Sequence, residues 1–109
     1  MKILAEMPTG MGGKWVLVQY KEDFFAYGYE QDLHTLMGFP VNQCGTQNEV
    51  LNHCKSIAEL CKNNIAKYQK ERSKDTKNIS GWELLIQHEQ KELEMLTEFA
   101  RILSNKINF

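Results

Sequence analysis

The stretch that decides the fold is residues 46–54, which read TQNEVLNHC. Thr46 and Glu49 have the spacing of a capping box: the threonine hydroxyl accepts a hydrogen bond from the N–H of residue 49, and the glutamate carboxylate accepts one from the N–H of residue 46. Apolar side chains then recur at helical spacing, through Val50, Cys54, Ile57, Cys61, Ile65 and Tyr68. The pattern predicts an amphipathic helix over residues 47–70.

A second start signal precedes the C-terminal part of the chain. Ser80 and Glu83 repeat the capping-box spacing. An apolar seam follows, interrupted by Glu89 and made of Trp82, Ile86, Leu93, Leu96, Ala100, Leu103 and Ile107. We expect a helix over residues 81–106, joined to the first helix by the polar linker 71–78 as an antiparallel hairpin.

The N-terminal third has the patterns of β-structure. Residues 14–20, KWVLVQY, are dense in β-branched and aromatic side chains and form the clearest strand. Residues 2–7 and 24–30 alternate on either side of it, and the short connections favour an antiparallel meander of three strands. Residues 31–37 indicate one or two helical turns, which a glycine and a proline end.

These elements predict an α+β fold: a small three-stranded antiparallel sheet, a short helix, and a long antiparallel helical hairpin packed on the sheet. The 109 residues support a single domain, with the meander in residues 1–30, the short helix and loop in 31–45, and the hairpin in 46–109. A sheet of this size needs a helix as its cover.

Composition excludes several classes of protein. The net charge is −1, and arginine occurs only as Arg72 and Arg101, so a dedicated nucleic-acid binder is not expected. No apolar run approaches the ~20 residues of a membrane span, and the N-terminus is charged too early for a signal-peptide core. Three cysteines fit free thiols in a reducing cytoplasm better than a disulfide framework.

The second helix has more apolar side chains than one partner helix can cover. Met95, Phe99 and Ile102 lie outside its seam, and they are expected to pack on the sheet or on another subunit. We predict a homo-oligomer, most simply a dimer, with these three residues at its two-fold interface. Glu89, a charge within the seam, is expected to pair with Lys55 or Lys62 of the first helix or with another subunit.

A glycine-rich segment, EMPTGMGGK, occupies residues 6–14 before the central strand. It resembles the phosphate-binding loop of helicase-type ATPases, which would cradle a nucleotide. It differs by an additional glycine before Lys14, by Trp15 in the place of the magnesium-binding serine or threonine, and by a strand where a helix should follow. The other interpretations are a plain hairpin loop, or a loop whose backbone and Lys14 contact an anion or a partner.

Signals for metal binding and catalysis are weak. A zinc site of Cys44, His53 and Cys54 lacks the Cys-x-x-Cys or His-x-x-x-His spacing that would support it. The histidines are isolated from any nucleophile and acid, and the glutamates of the second helix have the pattern of a solvated face. We therefore expect no metal, no cofactor and no enzymatic activity.

Aromatic side chains are concentrated in the predicted sheet. Phe25, Tyr27 and Tyr29 share one face of the third strand, and tyrosine suits a binding surface because it joins a large ring to a hydrogen-bonding tip. With Lys14 in the adjacent loop they form the predicted site for a partner or ligand. The alternative is that this row faces the helices, in which case truncating Tyr27 would cost stability instead.

The sequence therefore predicts a small cytosolic, non-enzymatic binding protein that acts by occupying a macromolecular partner, such as a bacterial or phage-encoded inhibitor or adaptor. The alternative is a small-ligand binder of nucleotide type, in which tyrosines stack on a base while Lys14 or the linker lysines hold phosphate. A small enzyme ranks below both, because no triad, metal set or intact phosphate-binding loop is visible.

Overall fold

The structure, a computed structural model, describes residues 2–10, 12–30 and 43–107. An antiparallel sheet comes first and two helices follow, which confirms the α+β class and the helical hairpin. The elements are β1 (Lys2–Pro8), β2 (Lys14–Lys21), β3 (Phe24–Tyr29), β4 (Gln43–Gly45), α1 (Gln47–Lys74) and α2 (Ile79–Ile107). The short helix predicted over residues 31–37 lies outside the described residues.

The sheet has four strands where the sequence predicts three. Its order is β1-β2-β3-β4, and every neighbouring pair is antiparallel. The additional strand, β4, places Cys44 opposite Ala26 beside β3. With three residues, β4 is too short to show the alternation by which a strand is found in a sequence.

The first helix begins where the sequence predicts. The Thr46 hydroxyl accepts a hydrogen bond from the Glu49 N–H at 3.2 Å, and the Glu49 carboxylate accepts one from the Thr46 N–H at 3.1 Å. The helix is four residues longer than predicted, and beyond its end the Asp75 N–H donates to the carbonyl of Glu71 at 2.9 Å. The capping-box pattern thus predicts the start of α1 correctly, whereas the end of the helix lies beyond the predicted one.

The second helix begins at Ile79, one residue before the predicted cap, so the capping box at Ser80 is wrong. The backbone N–H of Trp82 donates to the carbonyl of Asn78 at 3.2 Å, which places the first turn earlier. The Trp82 indole N–H also donates to the Asp75 carboxylate in the linker, at 3.1 Å. The capping-box pattern does not predict this hydrogen bond between Trp82 and the linker.

One face of the sheet packs on the helical hairpin and forms the main core. The Tyr27 ring meets the Phe99 ring edge-on, with centroids 6.1 Å apart. Tyr27 is 2% exposed and Phe25 is 1% exposed, so the prediction that they lie on an open binding face is wrong. The helices need this aromatic row to close the core, whose buried members are Trp15, Leu17, Phe25, Tyr27, Val50, Leu51, Cys54, Cys61, Met95, Leu96, Phe99 and Leu103.

The additional apolar row of α2 is covered by the same packing. Met95 and Phe99 are 1% and 0% exposed, and Ile102 packs against the core while partly buried. The assignment of Met95 and Phe99 to a dimer interface is therefore wrong, because their own chain already covers them, whereas the role of the partly buried Ile102 stays a prediction. Their burial removes the argument from excess apolar surface that led to the prediction of a homodimer.

The opposite face of the sheet is closed at its centre. Val16, Val18 and Ala26 are buried there in a second, smaller cluster, against which Tyr20 and Cys44 pack. Within the described strands, the sheet therefore presents no open aromatic face of the kind predicted for β3.

Truncating Tyr27 and Tyr29 to alanine should destabilise the protein to different extents, because the helices cover only the first of the two rings. Tyr27→Ala should lower the free energy of unfolding by about 3–5 kcal/mol, because it leaves a cavity beneath Phe99. Tyr29→Ala should cost far less, because that ring is 39% exposed. Chemical denaturation of both variants measures the difference. Equal losses would contradict the burial pattern described here.

The two predicted helix starts provide a matched pair of substitutions. Thr46→Ala should destabilise the protein by about 1 kcal/mol, because the Glu49 N–H loses its acceptor. Ser80→Ala should have almost no effect, since α2 begins at Ile79 and does not use this hydroxyl as its cap. Thermal unfolding followed by circular dichroism compares the two. A larger loss of stability for Ser80→Ala than for Thr46→Ala would show that the Ser80 hydroxyl does cap α2.

Candidate functional site

The glycine-rich loop connects β1 to β2 as a tight hairpin. The backbone N–H of Thr9 donates to the carbonyl of Gly13 at 2.9 Å, and the Thr9 hydroxyl donates to the same oxygen at 3.2 Å. Gly10 and Gly12 have φ angles of +85° and +93°, in the left-handed region that favours glycine. Strand β2 follows at Lys14, so no helix N-terminus faces this loop in the manner of a phosphate-binding loop.

Beside the loop, a pair of stacked aromatic rings forms the base of a cleft. Trp15 and Tyr29 lie opposite each other in the β2–β3 register, with ring centroids 6.0 Å apart and planes inclined by 26°. Trp15 is buried, whereas Tyr29 is exposed at the end of β3. Tyr29 is thus the member of the aromatic row that emerges from beneath the helices.

Three charged side chains meet at the rim of this cleft. The Lys14 ammonium lies 3.0 Å from a carboxylate oxygen of Glu30 and 3.3 Å from one of Glu6. Hydrogen bonds to Glu30 first and then to Glu6 raise the pKa of Lys14 above its ordinary value. One ammonium faces two carboxylates, so these three side chains together carry an excess negative charge.

Helix α2 forms the opposite wall. His88 lines the cleft, and its Nε2 lies 3.9 Å from a carboxylate oxygen of Glu92. The Lys91 side chain passes close to the loop, since its Cε lies 3.6 Å from the position that a Cβ on Gly10 would occupy. The cleft has a volume of about 800 Å³, within the range of small-ligand sites. Its lining residues are Glu6, Met7, Pro8, Thr9, Gly12, Gly13, Lys14, Trp15, Tyr29, Glu30 and His88.

The structure brings together half of the predicted site. Lys14 and Tyr29 both line the cleft, whereas Phe25 and Tyr27 are buried beneath the helices. Sequence reasoning missed the two carboxylates and the histidine of the cleft. Glu6 lies in the glycine-rich segment, but the phosphate-loop pattern gives it no role. Glu30 and His88 carry no local motif, and the strand register and the packing of α2 bring them to the cleft.

A second polar cluster interrupts the seam between the helices. Cys61 of α1 is buried, and Glu89 and Glu92 of α2 are half-buried beside it. One donor atom from each of the three side chains lies within 4.8 Å of the other two. The expected ion pair of Glu89 with a lysine of α1 is wrong for Lys62, whose ammonium lies 3.4 Å from a Glu59 carboxylate oxygen instead.

The residues considered for a zinc site in the sequence do not converge. Cys44 packs with the cluster on the opposite face of the sheet, and Cys54 lies in the main core. The His53 ring contacts Tyr27, with centroids 5.8 Å apart. Within residues 2–10, 12–30 and 43–107, the side chains with the spacing of a metal site are instead Cys61, Glu89 and Glu92.

Comparisons with protein-family models, curated proteins and solved structures found no match to this chain. In the part of the chain that the structure describes, neither helix is long and apolar enough to cross a membrane. The geometry of the cleft and of the seam therefore carries the functional argument.

The stability of the protein should depend on pH through Glu92. Burial first, and the charge of Glu89 second, raise the pKa of Glu92 above its ordinary 4.5. A carboxyl group whose pKa is higher in the folded chain binds more protons there, so stability should fall as pH rises from about 4.5 through the folded pKa.

Glu92→Gln should remove this loss and raise the midpoint of thermal unfolding at neutral pH in metal-free buffer. Glu94→Gln, an exposed carboxylate on the same helix, is the control and should leave the pH profile unchanged. Identical profiles for the wild type and Glu92→Gln would show that the Glu92 carboxylate is not destabilised by its surroundings.

Proposed function

We propose that the protein is a small, non-enzymatic binding protein, of inhibitor or adaptor type, that takes a basic side chain of a protein partner into the cleft. The observation that carries this proposal is the pair of carboxylates, Glu6 and Glu30, around the single ammonium of Lys14. The exposed ring of Tyr29 lies in the same cleft.

The charges at the rim favour a cation. Two carboxylates and one ammonium leave an excess negative charge, so a guanidinium or a second ammonium gains energy there and a phosphate loses it. The three side chains are about two-fifths exposed, and ion pairs of that kind contribute little net stability. An incoming cation can therefore share Glu30 and Glu6 with Lys14 at small cost to the fold.

The aromatic pair favours the same ligand. A cation placed over the face of a tyrosine ring gains about 0.5–1 kcal/mol at an exposed site. Trp15 stacks on Tyr29, so this ring is held in place before a partner arrives. Tyrosine also presents a large contact area with few rotatable bonds, which lowers the entropy cost of binding.

The nucleotide alternative fits the cleft less well. Tyr29 offers a ring on which a base can stack, but Lys14, the cation expected to hold phosphate, is already paired with two carboxylates. The three unpaired cysteines, of which Cys54 and Cys61 are buried, favour a reducing compartment, so the cytoplasm is part of the proposal.

Neutralising the charge of Lys14 separates the two ligand classes. Lys14→Gln should tighten the binding of a basic probe about two- to fivefold, because it frees two carboxylates for the incoming cation. If the ligand is a nucleotide, the same substitution should weaken binding. The probes are acetylated and amidated peptides with one central arginine or lysine, and a panel of nucleoside phosphates.

Further variants identify the surface. Glu30→Gln should weaken the basic peptide about two- to fivefold, and Tyr29→Ala should weaken it without a large loss of stability. Glu22→Gln, an exposed carboxylate in the β2–β3 turn outside the cleft, is the matched control and should change nothing. Nuclear magnetic resonance shifts of the labelled protein report both affinity and location. The proposal fails if no basic peptide shifts the resonances of the glycine-rich loop. It also fails if Lys14→Gln weakens the binding of the basic peptide.

A further inference from the structure

The seam of the hairpin contains a thiol and two carboxylates, and among the described residues no lysine or arginine forms an ion pair with them. Cys61 of α1 faces Glu89 and Glu92, which are one turn apart on α2 and share its face. In the described residues, Glu89 has no ion pair, and Glu92 has only the 3.9 Å approach of His88. Two half-buried carboxylates side by side repel each other, so the packing leaves a negative charge unbalanced.

Tyr27 lies in the same buried core as Cys61 and is 2% exposed. After burial itself, the charges that raise the pKa of Tyr27 are those of Cys54, Glu92 and Cys61. The tyrosine therefore shares the surroundings of the thiol and of the Glu92 carboxylate.

We propose that Cys61, Glu89 and Glu92 bind a divalent zinc ion that joins α1 to α2 in the middle of the hairpin. Zinc is bound by thiolate, imidazole and carboxylate ligands, whereas magnesium and calcium take oxygen ligands alone. The donor set of one sulfur and two carboxylate groups therefore favours zinc over magnesium and calcium. A water fills the remaining position.

The spacing of the donors requires only side-chain movement. Bonds of about 2.0–2.3 Å in a tetrahedral site place donor atoms about 3.5 Å apart. The three donors already lie within 4.8 Å of one another, and the glutamates have rotatable side chains that can close the difference. Two of the ligands are three residues apart on one helix and the third is on its partner, so the ion holds the hairpin together.

Metal binding must displace the thiol proton. Burial, followed by the hydrogen bond to Glu89, raises the pKa of Cys61 to about 12, so the thiol is protonated without the metal. The Cys61 S–H bond breaks, its proton goes to solvent, and the sulfur lone pair forms the bond to zinc. One proton released per zinc bound is expected, and affinity should increase with pH.

The experiment uses the full chain, stripped with a chelator and kept reduced. Cobalt(II) should bind at one equivalent and give the thiolate-to-cobalt charge-transfer band together with the visible bands of tetrahedral cobalt. Zinc should displace the cobalt and raise the midpoint of thermal unfolding in a concentration-dependent manner. Cys61→Ser should abolish the charge-transfer band and weaken zinc at least about 100-fold, and Glu89→Gln or Glu92→Gln should weaken it about 10- to 100-fold.

Matched controls separate this site from incidental zinc binding. Cys44→Ser removes a thiol on the opposite face of the sheet, and Glu94→Gln removes an exposed carboxylate of the same helix; both should bind zinc as the wild type does. If Cys61→Ser does not fold by circular dichroism, the half-buried Glu89 and Glu92 variants decide the matter. A missing charge-transfer band, or zinc affinity unchanged in both glutamate variants, overturns the proposal.

Discussion

The structure depends on the packing of one sheet face against two helices. The contact between Tyr27 and Phe99 lies within this layer, and both residues are almost fully buried. Burying an aromatic side chain of this size gives several times more free energy than an exposed ion pair. The sheet is too small to be stable alone, and α2 is too apolar for α1 alone, so each needs this shared surface.

The position of the candidate cleft follows from where that surface ends. The aromatic row of β3 passes beneath the helices at Phe25 and Tyr27, and at Tyr29 it reaches the edge of the hairpin. There the glycine-rich loop and the charged side chains around Lys14 surround a ring that the core no longer covers. Because the fold buries Phe25 and Tyr27 and leaves Tyr29 exposed, a cleft forms at Tyr29 without any sequence motif that marks it.

The seam between the helices also combines a packing role with a candidate site. Its apolar positions pack the hairpin, and its polar interruption brings Cys61 to Glu89. A charge in such a place costs stability unless something balances it. This interruption is the basis of the zinc proposal, whereas charged residues on an exposed helix face, such as Glu94, are common in proteins.

Local signals in the sequence determined the helices, the three longer strands and the start of α1, because capping and periodicity act within a few residues. They failed at β4, which is too short for a pattern, and at the start of α2, which lies one residue before the predicted cap. Only the tertiary structure decided which face of β3 the helices cover, because alternation distinguishes two faces without saying which one is inside. It also brought Glu30 to Lys14, and Cys61 to Glu89, since strand register and helix packing join residues that no local pattern connects.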